Sequence, residues 1–189
     1  MKRKIISILL VLSVFFPYMN SVKAEELTIY MNEDFDSSVT NTLPDNIKVV
    51  GAAETYIKEY EQRNKALYIN RKAGTTAYLT IPAENVDGDC VLHFDIKMEN
   101  DNTNYKVNMI NSGSKFNIMS VDESGRMKAQ NGKEFVSQKS DRWMSVDIAY
   151  RKNVNLYDIY IDGRRVLADW RSALLNSFDS IGMEFKLSS

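Results

Sequence analysis

Apolar side chains recur at every second position along most of the chain, the period at which neighbours in a strand point to opposite faces of a sheet. Leu27-Ile29-Met31, Leu67-Ile69, Ala77-Leu79-Ile81 and Cys90-Leu92-Phe94-Ile96-Met98 each place their apolar members on one side. Tyr105-Val107-Met109, Met144-Val146-Ile148-Tyr150, Tyr157-Ile159-Ile161 and Ile181-Met183-Phe185 do the same. Shorter strands are expected around Ile47 to Val50, Phe116 to Val121, Arg126 to Gln130 and Glu134 to Val136. The pattern predicts about a dozen strands. Asp162-Gly163 suits a two-residue hairpin turn, and Ser124-Gly125, Asn131-Gly132, Asp87-Gly88 and the Leu43-Pro44-Asp45-Asn46 loop mark further breaks. Trp170, Leu174 and Phe178 fall four apart and predict a short helical cap; Glu54 to Arg63 fits either a helix or a twisted edge strand.

Strands with one polar face each bury their apolar faces only by stacking, which predicts an all-β, two-sheet antiparallel β-sandwich. Cys90 alternates with Leu92 and Phe94 and is expected to fill the core. A single cysteine excludes an intrachain disulfide, and a single histidine, His93, excludes multi-histidine metal chemistry.

The N-terminus has a different pattern. Lys2, Arg3 and Lys4 precede the apolar run Ile5 to Phe16, and Val22-Lys23-Ala24 resembles a cleavage site, so residues 1–24 are expected to be a secretory leader and 25–189 a single domain. The leader carries four basic residues and no acid, so its removal leaves 20 cations against 25 acids, a net charge of −5. That balance argues against nucleic acid as a partner, and no later segment is long and apolar enough to span a membrane. A secreted or cell-surface location is expected.

Several short stretches together resemble the concanavalin A-like lectin/glucanase superfamily, with its laminin-G-like jelly rolls. They are Asn32-Glu33-Asp34-Phe35-Asp36, Leu43-Pro44, Ala66-Leu67-Tyr68-Ile69, Val91 to Lys97, Trp143 to Ile148 and Tyr157 to Gly163. The resemblance spans nearly all of residues 25–189 and implies a jelly roll that recognises extracellular or cell-wall polysaccharide. Similar domains end on a strand that returns beside the first, whereas this sequence stops at Lys186-Leu187-Ser188-Ser189. The final strand is therefore expected to be missing, which leaves room for an attached domain or an edge-strand protein partner.

Glycosidases of this superfamily carry a strand with alternating glutamates and aspartate, and no E-x-D-x-x-E run occurs here. Three functions remain open: a non-catalytic carbohydrate-binding module, a structural or adhesive domain, and a glycan-active hydrolase or lyase. The candidate ligand contacts are His93, Asp95, Asn108, Trp143, Asp147 and Tyr160. His93 and Asp95 share the polar face of their strand with Lys97, and Asn108 is expected on the next strand. Either this face holds sugar hydroxyls or it is a solvated charge ladder. Trp143 is out of phase with Met144 and Val146; it shares a face with Asp147 and either offers an indole platform or covers a sheet end. Tyr160 points outward. No organic cofactor is expected; Asp34 and Asp36 share parity and admit a structural calcium ion.

Overall fold

The computed structural model describes residues 5–9, 35–60, 64–71, 75–98, 103–137, 142–171 and 177–187. They hold fourteen strands: β1 (Ile5–Leu9), β2 (Lys48–Val50), β3 (Ala52–Tyr60), β4 (Asn64–Arg71), β5 (Thr76–Val86), β6 (Cys90–Met98) and β7 (Thr103–Asn111), followed by β8 (Ser114–Val121), β9 (Arg126–Ala129), β10 (Glu134–Ser137), β11 (Trp143–Arg151), β12 (Leu156–Ile161), β13 (Arg164–Arg171) and β14 (Phe178–Leu187). Two seven-stranded sheets result. Sheet A runs β13-β12-β11-β6-β1-β4-β3 and sheet B runs β10-β9-β8-β7-β14-β5-β2, with every ladder antiparallel.

The alternation read from the sequence is the alternation of burial. In β6 Leu92, Phe94, Ile96 and Met98 are buried while His93, Asp95 and Lys97 are half-buried on the other side, and β11 repeats this with Met144, Val146, Ile148 and Tyr150 inside. Sheet B supplies Leu79, Ile81, Tyr105, Val107, Met109, Met183 and Phe185 to the same core. Tyr157, fully buried, donates its hydroxyl to the Ile118 carbonyl oxygen at 2.9 Å, a bond from sheet A to sheet B. That bond keeps the phenol satisfied in an apolar interior. The hairpin between β12 and β13 turns at Asp162 (φ 49°) and Gly163 (φ 76°), the positive angles of a two-residue turn.

Three expectations need correction or limits. Trp170 lies in β13 and Phe178 in β14, so the predicted helical cap is not formed by these residues; Leu174 lies outside the described residues. Hydrogen bonding to β12 and to β5 and β7 outweighs the helical spacing. Residues 54–60 form strand, not helix, because β3 pairs with β4 along its length. The third concerns residues 5–9 of the expected leader, which form β1 in the middle of sheet A, between β4 and β6. Leu27-Ile29-Met31 lies outside the described residues.

Candidate functional site

Five of the six residues expected to meet a ligand lie on the outer face of sheet A. The registers are Trp143 opposite Lys97, Ser145 opposite Asp95 and Asp147 opposite His93, with Tyr160 opposite Asp147 on the far side. Directly opposed residues of antiparallel strands stand about 5 Å apart, so their side chains form one contiguous patch.

His93 sits between two carboxylates. Its Nδ1 is 2.6 Å from Asp147 Oδ1, and its Nε2 faces Asp95 Oδ1 at 3.9 Å. The hydrogen bond to Asp147 raises the His93 pKa above its ordinary value, against the opposing pull of partial burial, and the Asp95 charge adds to the rise. Burial raises the pKa of the Asp95 carboxyl, which His93 and the Ser145 hydroxyl partly offset. Both imidazole nitrogens therefore face carboxylate oxygens, an arrangement that fixes the acceptors in place.

An aromatic group lies beside this patch. The rings of Tyr60 and Trp143 meet edge to face with centroids 5.7 Å apart. Their strands, β3 and β11, are four strand spacings apart in the sheet, about 19 Å if it were flat. The length of the two side chains covers part of that gap, and an inward curl of the outer face supplies the rest, so the face is concave here. Tyr56 and Tyr68 stack with centroids at 4.8 Å, and the Lys58 ammonium lies 4.7 Å from the Tyr60 centroid and 5.1 Å from that of Tyr68. Tyr68 is only 4% exposed although it points outward.

On the opposite flank, Asp158 gathers Arg151 (3.1 Å), Arg165 (3.0 Å) and the Asp169 amide (2.7 Å) on one oxygen, which sets Arg165 next to Tyr160. Arg142 pairs with Asp162 at the hairpin, and Asp162 also accepts from the Ser145 amide at 3.0 Å. These contacts hold the ends of β11 and β12 in line beneath the patch.

Asn108 does not join the other five. β6 and β7 belong to different sheets, so the strand that follows His93 in sequence crosses to the opposite layer, and Asn108 faces outward from sheet B. It is 3% exposed there, its Oδ1 accepts from Asn117 Nδ2 at 3.3 Å, and its own Nδ2 has no hydrogen-bond partner among the described residues. Of the two calcium candidates, Asp34 lies outside the described residues and Asp36 is an exposed residue whose backbone carbonyl accepts from Lys65. Among the described residues no group of three or more His, Cys, Asp or Glu side chains converges to hold a metal ion.

Sequence reasoning missed Tyr60, Tyr56 and Lys58. Their alternation is visible in the sequence, but with residues 54–63 undecided between helix and strand they could not be assigned a face. Tyr68 was hidden between Leu67 and Ile69, because β4 is buried on both faces from Ala66 to Asn70.

No protein-family model matches the sequence, and no curated protein matches it. Solved structures do. The chain is similar to a sialidase with a TM-score of 0.70 at 13% identity, over 82% of this chain and 14% of the sialidase. It is also similar to a protein of unknown function with a galectin-like fold from Bacillus subtilis, with a TM-score of 0.52 at 10% identity over 75% of this chain and 83% of that one. At these identities the likeness shows the fold, a galectin-like antiparallel β-sandwich, in agreement with the jelly roll expected from the sequence. The chain corresponds to only about one seventh of the sialidase's length.

Proposed function

We propose that this chain is a secreted, non-catalytic carbohydrate-binding domain that holds a glycan on the concave outer face of sheet A. The observation that carries this reading is the Tyr60–Trp143 pair standing beside His93, Asp95 and Asp147 on one curved surface. A sugar ring presents an apolar C–H face and a rim of hydroxyls. Aromatic rings suit the first, and carboxylates, which only accept hydrogen bonds, suit the second. With both His93 nitrogens directed at carboxylates, the polar group holds acceptors in place for sugar hydroxyls.

The test is binding to a panel of soluble polysaccharides by affinity electrophoresis, backed by a glycan array. Trp143→Ala and Tyr60→Ala are each expected to weaken retention about tenfold, the equivalent of ~1.4 kcal/mol, with an unchanged circular dichroism spectrum. Tyr78→Ala, on the outer face of the opposite sheet, is expected to leave retention unchanged. Wild-type retention by both site variants, or no binding by the parent protein to any glycan tested, would refute the reading.

A further inference from the structure

The outer face of sheet A is polarised across its width. At one end the carboxylates of Asp95 and Asp147 flank the imidazole of His93. The other end carries an ammonium group and no carboxylate to meet it. Lys58 leaves β3 opposite Ala66 and reaches across β4, so that its Nζ lies 4.7 Å from the Tyr60 centroid and 5.1 Å from that of Tyr68. Among the described residues it has no ion-pair partner. The nearest outward-facing acid on β3 is Glu54, about 13 Å along the strand, and Glu54 accepts from Asn70 Nδ2 at 2.8 Å. Asp95 stands three strand spacings away, about 14 Å in a flat sheet.

Two aromatic faces satisfy such a charge only in part. They attract the cation but supply no oxyanion, and a half-buried ammonium gains most from a charge-assisted bond to one. Lys97 adds a second cation to the same end, because it is the register partner of Trp143 on the outer face. The Lys58–Tyr60 and Tyr60–Trp143 separations, 4.7 Å and 5.7 Å laid end to end, put Lys58 Nζ no further than about 10 Å from the Trp143 centroid. A disaccharide stacked on the aromatic pair therefore brings a substituent of one of its rings to the lysine. The whole chain carries a net charge of −1, so an attraction for anions at this place is local and owes nothing to the overall field.

We propose that the glycan held on this face is acidic, with a uronate carboxylate or a sulfate ester set against Lys58 while neutral hydroxyls meet Asp95 and Asp147. This deepens the glycan reading above and rests on it. Carboxylate and sulfate present the same chemistry, an oxyanion at the rim of a sugar ring, and a lysine meets either as a point charge. His93, when protonated between the two aspartates, screens their charge from the acidic group.

Paired probes test it by affinity electrophoresis at low ionic strength: polygalacturonate against its methyl ester, and dextran sulfate against dextran. One charged probe is expected to be retained about fivefold more strongly than its neutral counterpart, and which pair shows this tells carboxylate from sulfate. Lys58→Met, which keeps an apolar stem over the rings, and Lys58→Gln are both expected to bring that ratio close to one, with unchanged circular dichroism. Lys58→Arg is expected to preserve it. Lys106→Gln removes the same charge from an exposed position on the outer face of sheet B and is expected to leave the ratio as it is. An equal fall in Lys106→Gln would mean a general charge effect and overturns the proposal, as does an undiminished ratio in both neutral Lys58 variants. Retention of the neutral probes alone, still dependent on Tyr60, overturns the acidic class and leaves the glycan face standing. Retention of none of the four overturns both.

Discussion

Gly182 sits in the middle of β14, between Asn108 of β7 and Thr80 of β5, in ordinary strand conformation. A methyl group added there would lie 2.6 Å from Ile110 Cδ1, 3.4 Å from Ile110 Cγ1 and 3.7 Å from the Leu79 carbonyl oxygen. Only the first contact is prohibitive, and it involves the far end of a side chain. Ile110 must withdraw its terminal methyl by roughly 0.8 Å to reach an ordinary separation. Ile110 is 8% exposed, pressed against the sheet, so that movement forfeits packing of about one methyl group, ~1 kcal/mol. Alanine in turn returns about 0.5–1 kcal/mol because glycine loses more freedom on folding. Crowding of the neighbours adds to the cost, and Gly182→Ala is expected to destabilise the domain by about 0.5–1.5 kcal/mol in urea denaturation. Ile110→Val removes Cδ1, the clashing atom. In that background Gly182→Ala is expected to be neutral or stabilising, with a coupling of about 1 kcal/mol in the double-mutant cycle. If Gly182→Ala costs the same in both backgrounds, the glycine is not there to make room for Ile110.

Two further predictions concern titration and reactivity. Because the His93 pKa is raised above 6.5 in the folded state, its bond to Asp147 contributes stability fully below about pH 6.5, and this is lost as pH rises through the folded value. The melting temperature is therefore expected to fall as pH rises above about 6.5, and His93→Gln is expected to remove that slope; an identical slope in the variant would exclude His93 as its source. Asp95, raised above 3.8, acts in a separate acidic window, where ionisation of its half-buried carboxyl lowers stability as pH rises. Burial, followed by the charge of Asp89, pushes the Cys90 thiol up to about 12, so at pH 8 iodoacetamide is expected to label it only after unfolding. Stoichiometric labelling of the folded protein by intact mass would contradict this.

The two kinds of residue at the candidate site differ in how far they could be read in advance. His93, Asp95, Trp143, Asp147 and Tyr160 each lie out of phase with a buried series on their own strand, so a local rule was enough to turn them outward. Their neighbourhood was only partly legible, because β6 and β11 are adjacent in sheet A but about fifty residues apart in sequence. Asn108 shows where the local rule ends. It too is out of phase with Tyr105, Val107 and Met109, but nothing local states which layer its strand joins, and the layer decides which residues it meets.

The amino-acid sequence by itself determined the strand period, the two-layer solution that this period requires, the inward series and the hairpin at Asp162-Gly163, because each depends on contacts between near neighbours and on the need to bury apolar area. Only the tertiary structure decided that Tyr60 reaches Trp143, that Asn108 faces away from His93 and that Ile5–Leu9 lies between β4 and β6. Those outcomes depend on strand order and sheet curvature, set by the packing of distant segments against one another, and no short window of sequence contains that information.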